Sequence, residues 1–94
     1  MTKNYIILNL HNLLHAVELL PEDTNIITVD IDQTGGYSSY AKIFLHTGFD
    51  RFVEDHKLLS ERVPYGRNTD KISVTVNGVE VYHLVDKQEV DPHD

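Results

Sequence analysis

The chain has 94 residues, enough for one domain with a single core and too few for two. It contains no cysteine, which excludes disulfides, thiol nucleophiles and thiolate metal sites and is typical of a protein in the reducing cytoplasm. Fifteen Asp and Glu against eight Lys and Arg give a formal net charge of -7. We therefore expect no direct binding to nucleic acid, and a protein partner with a basic surface.

The N-terminal third predicts an amphipathic helix. Its apolar stripe follows the i, i+3, i+4, i+7 spacing and consists of Leu10, Leu13, Leu14 and Val17. Asn9 is the predicted N-cap and Pro21 ends the helix. Residues 5–8 form an apolar run that fits either an extension of this helix or an extra strand, so both alternatives stay open. Polar residues interrupt residues 1–20, which predicts neither a signal peptide nor a membrane span.

A first β-hairpin is predicted next. Residues 25–32 alternate with the period of two that a half-buried strand requires. The predicted buried side carries Ile27, Val29 and Ile31. Gly35 and Gly36 supply the turn, since glycine adopts positive φ without steric cost, and residues 37–46 form the returning strand.

A second amphipathic helix is predicted after Thr47 or Gly48, either of which can cap it. Its predicted apolar face carries Phe49, Phe52, Val53, His56 and Leu59. Pro64 closes this segment, and residues 60–70 lack a period and predict the longest loop.

The strongest local pattern is Asn77-Gly78, which favours a two-residue type I′ turn. Such a turn fixes the register of a second hairpin. One side pairs Val76 with Val79, Val74 with Val81 and Ile72 with His83, and the other, more polar side pairs Thr75 with Glu80 and Ser73 with Tyr82. Residues 86–94 are charged and predict a flexible acidic tail after a single domain of residues 1–85.

These elements predict an α+β domain in the order α-β-β-α-β-β. Both amphipathic helices are expected to pack on one face of a mainly antiparallel, four-stranded sheet. A strand formed by residues 5–8 would precede this order.

Histidines offer two weak chemical interpretations. His11 and His15 have the i, i+4 spacing of a zinc-peptidase helix, and Glu18 adds a third potential ligand. Asn12 stands where that motif needs a glutamate base, so we expect no metal, no cofactor and no enzyme. His56 and His83 look half-buried, and joined to an acid they would form a proton-transfer site; otherwise they are boundary residues.

Carboxylates are the predicted partner-binding residues. Asp30 and Asp32 share one side of the first strand, which favours either an ordinary polar face or a negative patch. The residues we expect to meet a basic partner are Glu22, Asp23, Asp30, Asp32, Asp50 and Glu54.

The segment Leu19-Leu20-Pro21-Glu22-Asp23-Thr24-Asn25-Ile26-Ile27-Thr28-Val29-Asp30 resembles a helix-to-strand junction in small accessory proteins of bacteriophages and mobile elements. The resemblance implies a host-directed inhibitor, such as an anti-CRISPR protein or an acidic DNA mimic. The leading prediction is therefore a non-enzymatic protein-binding module that inhibits a host enzyme acting on nucleic acid. The alternatives are a homo-oligomer, such as a dimer paired through an open sheet edge, and a small metal-dependent enzyme centred on His11 and His15.

Overall fold

The computed structural model describes residues 2–31 and 41–87. In chain order, the elements are α1 (Lys3–Leu19), β1 (Ile26–Ile31), β2 (Ala41–Leu45), α2 (Phe49–His56), β3 (Glu61–Pro64), β4 (Thr69–Val76) and β5 (Val79–Asp86). The strands form one sheet in the order β1-β2-β5-β4-β3. Neighbouring strands are antiparallel except β2 and β5, which are parallel. The α+β class is confirmed, with five strands instead of the predicted four.

Helix α1 begins earlier than predicted. Thr2 is its N-cap, and the Thr2 hydroxyl accepts a hydrogen bond from the Tyr5 backbone N–H at 3.2 Å. Residues 5–8 are therefore helical, and the extra N-terminal strand does not form. The prediction of Asn9 as N-cap is wrong: its side chain is buried, and its amide nitrogen donates to the Tyr5 carbonyl oxygen at 2.9 Å.

The buried stripe of α1 also differs from the prediction. Leu13 and Ala16 are buried and Val17 packs against the core, but Leu10 and Leu14 are exposed. Ala16 has no exposed surface, and its small side chain lets the helix lie close to the sheet. With Ala16 against the sheet, Leu10 and Leu14 project about 120° and 160° away from it around the helix and are exposed.

The first hairpin contains an irregularity that the alternation could not reveal. Ile26 pairs with Leu45 and Thr28 with Phe44, so Ile27 is the extra residue of a β-bulge. The predicted turn at residues 35–36, Asp32 and the start of the returning strand lie outside the described residues.

The second hairpin is confirmed, including all five predicted pairings. Asn77 and Gly78 have φ values of 50° and 77°, as a type I′ turn requires. Strand β5 continues to Asp86, and residues 88–94 lie outside the described residues, so the acidic tail stays a prediction.

The predicted loop of residues 60–70 contains a strand. β3 pairs antiparallel with β4, and Pro64 is tolerated because β3 is an edge strand of the described sheet. Gly48 caps α2 as predicted, but the helix ends at His56, where Lys57 adopts a left-handed conformation. His56 is exposed and Leu59 is 92% exposed, so their assignment to a buried helix face is wrong, as is closure at Pro64.

One apolar core holds both helices on the same side of the sheet. Its buried members are Leu13, Ala16, Ala41, Ile43, Leu45, Phe49, Phe52, Val74, Val79 and Val81. The strand pairings place the β2, β4 and β5 members of this group on one face, so packing of both helices on that face is confirmed. In the described part of the chain, neither helix has the length and apolar character needed to cross a bilayer.

Candidate functional site

Among the described residues, most of the exposed large apolar side chains lie on α1 and β1. Leu8 of α1 is 60% exposed and projects about 120° away from Leu14, outside the strip defined next. On α1, Ile7, Leu10 and Leu14 recur at i, i+3 and i+7 and form a strip along one flank of the helix. On β1, Ile26, Ile27 and Val29 are exposed. The exposed fractions reach 60% for Leu14, 53% for Leu10 and 46% for Val29. We call this strip and these three β1 residues the apolar surface.

Helix α1, which carries the strip, and the side chains of Ile26 and Val29 lie on the helix-bearing side of the sheet. Asn12 projects from α1 toward the β4–β5 turn, since its amide nitrogen lies 3.8 Å from where a Cβ at Gly78 would be. At about 100° per residue, Leu14 projects about 160° away from Asn12 around the helix. By the same measure, Ile7 and Leu14 project about 180° and 160° from Ala16, which has no exposed surface, so the strip faces away from the sheet.

Strand β1 adds an open backbone edge to this surface. Among the strands that the structure describes, β1 pairs only with β2, so one row of its N–H and C=O groups faces away from the sheet. Its single charged residue, Asp30, is opposite Lys42 on the helix-free face. The helix-bearing side of this edge is therefore apolar and carries no charged β1 side chain.

A pocket of about 360 Å³ lies where α2 begins, beside the carboxyl ends of β2 and β5. Its lining includes the acids Asp23 and Asp50 and the basic residues His46, Arg51 and His83. Arg51 lies 3.7 Å from Asp23, and both side chains are largely exposed. Opposite charges are mixed in the lining, so the pocket does not select a ligand of one sign.

His83 is the most distinctive group in this pocket. Its ring stacks on Phe49 with centroids 4.3 Å apart, and its buried Nε2 has no hydrogen-bond partner among the described residues. Burial lowers the pKa of His83, and the nearby Asp50 carboxylate opposes this shift. The imidazole is therefore neutral at neutral pH.

The structure does not join His56 to His83. His56 Nε2 donates to the Leu19 carbonyl oxygen at 3.1 Å, at the end of α1, and the ring meets the edge of Phe52. It does not line the pocket that contains His83. The proposed two-histidine proton-transfer site is therefore not assembled.

The helix-free face of the sheet is filled by paired side chains. Phe44 and Tyr82 stack across the parallel strands β2 and β5 with centroids 5.0 Å apart and an angle of 2° between their planes. Lys71 Nζ lies 3.2 Å from a Glu80 carboxylate oxygen and 5.6 Å from the Tyr82 ring centroid. Burial, with a smaller contribution from Tyr65, raises the pKa of Tyr82. This face is less open than its polar sequence predicts.

The predicted partner-binding acids are divided between two regions. The α1–β1 turn and α2 hold four of them, Glu22, Asp23, Asp50 and Glu54. Of these, Asp23 and Asp50 line one pocket. Asp30 lies on the opposite face of the sheet, and Asp32 is outside the described residues.

The metal constellation does not form in the described residues. His11, His15 and Glu18 are all exposed on α1. Residues 2–31 and 41–87 contain no group of three or more His, Asp or Glu placed to hold a metal ion.

The periodic patterns assign Leu10 and Leu14 of α1 to the core, so they do not predict the apolar surface. The prediction that Ile27 and Val29 lie on a buried side of β1 is also wrong, since these side chains are 50% and 46% exposed on an edge strand of the described sheet. A usable signal was present in α1, where Ile6, Ile7 and Leu8 accompany the predicted stripe. A helix with apolar residues around most of its circumference has more of them than one sheet face can cover.

Comparisons of the chain with protein-family models, with curated proteins and with solved structures found no match. The surfaces described above are therefore the basis for a functional proposal.

Proposed function

We propose that this protein is a protein-binding module and that the apolar surface is its docking site. The observation that carries the proposal is the exposure of Ile7, Leu10 and Leu14 on α1, a helix that contacts the edge strand β1 as well as β2. Contiguous exposed apolar side chains mark interaction sites in soluble proteins, because leaving them in water costs about 25 cal/mol per Å². A partner that covers the strip removes this cost, and pairing with the open edge of β1 adds backbone hydrogen bonds.

The acidic charge supports a particular kind of partner. A net charge of -7 attracts a protein with a basic rim and accelerates the encounter with it. An inhibitor that occupies a basic surface of a host enzyme acting on nucleic acid is one form of this proposal. Its support is the net charge; of the predicted acids, Asp23 and Asp50 line one pocket together with Arg51.

The docking site is tested with the double variant Leu10→Lys, Leu14→Lys. Both side chains are exposed, so we expect the fold to survive and partner binding to be lost. Immobilised wild type and variant are compared for the proteins they retain from native-source lysate, quantified by mass spectrometry. Circular dichroism melts check that the variant is folded.

Leu59→Lys is the matched control, because Leu59 is 92% exposed and lies outside α1 and β1. We expect this variant to retain the same proteins as the wild type. Equal retention by the wild type and the folded double variant would contradict docking through the apolar surface.

A further inference from the structure

We propose that Asn77 is a site of spontaneous modification, at which the Gly78 backbone nitrogen displaces the side-chain amide as ammonia and water opens the resulting succinimide to isoaspartate. The isoaspartate then breaks the two-residue turn that sets the register of β4 and β5. The apolar surface on α1 and β1 takes no part in this reaction.

The Asn77-Gly78 pair lies at the exposed tip of the β4–β5 hairpin. Within residues 2–31 and 41–87, no group forms a hydrogen bond with the Asn77 side-chain amide or with the Gly78 N–H. Exposed turn residues of this kind open locally at a low cost in free energy. The turn can therefore reach the conformations in which the Gly78 nitrogen meets Asn77 Cγ.

Glycine at position 78 leaves the attacking nitrogen unhindered. Apart from its chain neighbours, the one heavy atom of the described chain within 4 Å of a Cβ built there is Asn12 Nδ2, at 3.8 Å. Glycine also adopts positive and negative φ with similar ease, so its backbone does not oppose ring closure. The reacting atoms are thus open to the water that the second step consumes.

Asn77 is the only asparagine in the sequence that precedes a glycine. Every other asparagine precedes tyrosine, leucine, isoleucine or threonine, whose side chains crowd the nitrogen that would attack. Asn68 provides the closest comparison, because it is also exposed in the turn between two strands, but Thr69 follows it. The chain therefore contains its own control for the effect of Gly78.

The reaction consumes water and releases ammonia, with no oxidation or reduction. In the first step, a bond forms between the Gly78 nitrogen and Asn77 Cγ, and the bond from Cγ to the amide nitrogen breaks. The proton lost by the Gly78 nitrogen is balanced by the proton that the ammonia gains. In the second step, water adds to one of the two imide carbonyl carbons. Addition at Cγ gives aspartate, and addition at the former backbone carbonyl gives isoaspartate.

Isoaspartate is incompatible with the turn because its main chain passes through Cβ and is longer by one carbon. Asn77 and Gly78 have φ values of 50° and 77° and place Val76 directly opposite Val79. A longer connection no longer fixes this register. Val79 has no exposed surface and belongs to the core, so a change of register at the tip disturbs the interior.

Peptide mapping of the folded wild type tests the modification. The protein is incubated for weeks at mildly alkaline pH, which favours loss of the Gly78 amide proton, and is then cleaved after lysine. Residues 58–71 carry Asn68, and residues 72–87 carry Asn77. Mass spectrometry should find NH₂ replaced by OH at Asn77 about tenfold faster than at Asn68, since a modest steric barrier slows a reaction by that factor. Equal survival of the two amides would overturn the proposal.

Hydrogen exchange tests the effect on the hairpin. The isoaspartate form, separated by chromatography, should exchange its amides at residues 79–81 about tenfold faster than the unmodified chain. Asn77→Gly is the matched control, because Gly-Gly also suits a type I′ turn and has no amide to lose. We expect this variant to keep its exchange rates through the same incubation. An isoaspartate form that exchanges as slowly as the unmodified chain would overturn the inference, as would an equal acceleration in Asn77→Gly.

Discussion

Gly48, the N-cap of α2, lies so close to Thr24 in the α1–β1 turn that a side chain at position 48 would clash with it. Its φ is +96°, and an added Cβ would lie 2.5 Å from Thr24 Oγ1 and 3.0 Å from Thr24 Cβ. The turn after α1 therefore lies directly against the N-cap of α2. Nearby, the Thr47 hydroxyl accepts a hydrogen bond from the Asn25 backbone N–H at 3.2 Å, which holds the same two segments together.

Substituting Gly48→Ala should lower the free energy of unfolding by about 2 kcal/mol or more. The left-handed conformation costs an L-residue roughly 1–2 kcal/mol, and the clash with Thr24 adds an overpacking cost. Urea denaturation measures the difference. Gly66→Ala is the matched control, because a Cβ there meets nothing within 4 Å and should change stability by less than about 0.5 kcal/mol. Equal effects of the two substitutions would contradict the packing at Gly48.

His83 predicts a loss of stability in mild acid. Burial holds its folded-state pKa below the ordinary value of 6.5, so the unfolded chain takes up the proton first as pH falls. The stability that the neutral imidazole provides is present above about pH 6.5 and decreases as pH falls toward the lowered folded pKa. His83→Phe removes this proton uptake while keeping a ring to stack on Phe49.

Urea melts of wild type and His83→Phe between about pH 8 and pH 5 test this expectation. As pH decreases, the unfolding free energy of the wild type should fall more steeply than that of His83→Phe. Parallel curves would show that His83 titrates alike in the folded and unfolded chain.

Among the elements, the register of the β4–β5 hairpin could be predicted because a two-residue turn determines it. Asn77-Gly78 sets the turn, and the alternating valines follow from it. The α1 stripe could not be predicted as well. Its apolar residues surround the helix, so contacts with the sheet decide that Ala16 is buried and Leu14 is exposed.

Strand β3 escaped prediction because its four residues carry one β-branched side chain and end in proline. Long-range contacts hold it instead. Arg62 Nε donates to an Asp70 carboxylate oxygen at 2.9 Å, and Arg62 Nη2 donates to the Asp86 carbonyl oxygen at 3.4 Å. One side chain thus links β3 to both β4 and β5.

Arg62→Ala should loosen β3 while leaving the rest of the sheet intact. Loss of a partly exposed ion pair and its hydrogen bonds costs about 1 kcal/mol, equivalent to about fivefold faster amide exchange where opening is local. Hydrogen exchange by NMR measures this at residues 61–63. The exposed Arg67 provides a control, since Arg67→Ala should leave these rates unchanged. Unaltered exchange in Arg62→Ala would contradict the linking role.

At the scale of the whole molecule, the sequence predicts the helix and sheet layers but not the order in which the strands pair. Two helices on one side of a sheet follow from amphipathic periods, but no local pattern reports that β2 pairs with β5. The candidate site was unpredictable for a related reason. The apolar surface consists of side chains that remain uncovered once the core is packed, so its members depend on the complete tertiary arrangement.

Net charge predicts opposite salt responses for a second copy of this chain and for a basic protein as the partner. Two copies at -7 repel each other, so added salt should tighten a dimer of this chain. A complex with a basic protein should instead weaken, since salt screens its attraction. Sedimentation equilibrium at about 0.05 M and about 0.5 M NaCl measures the first response. A dimer that dissociates on adding salt would contradict an uncharged apolar contact.

The parallel pairing of β2 with β5 has a consequence for the order of folding. Residues 41–44 lie beside residues 79–82, so this seam closes a long loop, whereas both hairpins join near neighbours in sequence. We therefore expect the β1–β2 and β4–β5 hairpins to form early and the pairing of β2 with β5 to be the slow step. The Phe44–Tyr82 stack spans this seam, and the chain contains no tryptophan. The chain has five tyrosines, so the part of the stopped-flow tyrosine emission change that Phe44→Leu removes would report the pairing of β2 with β5.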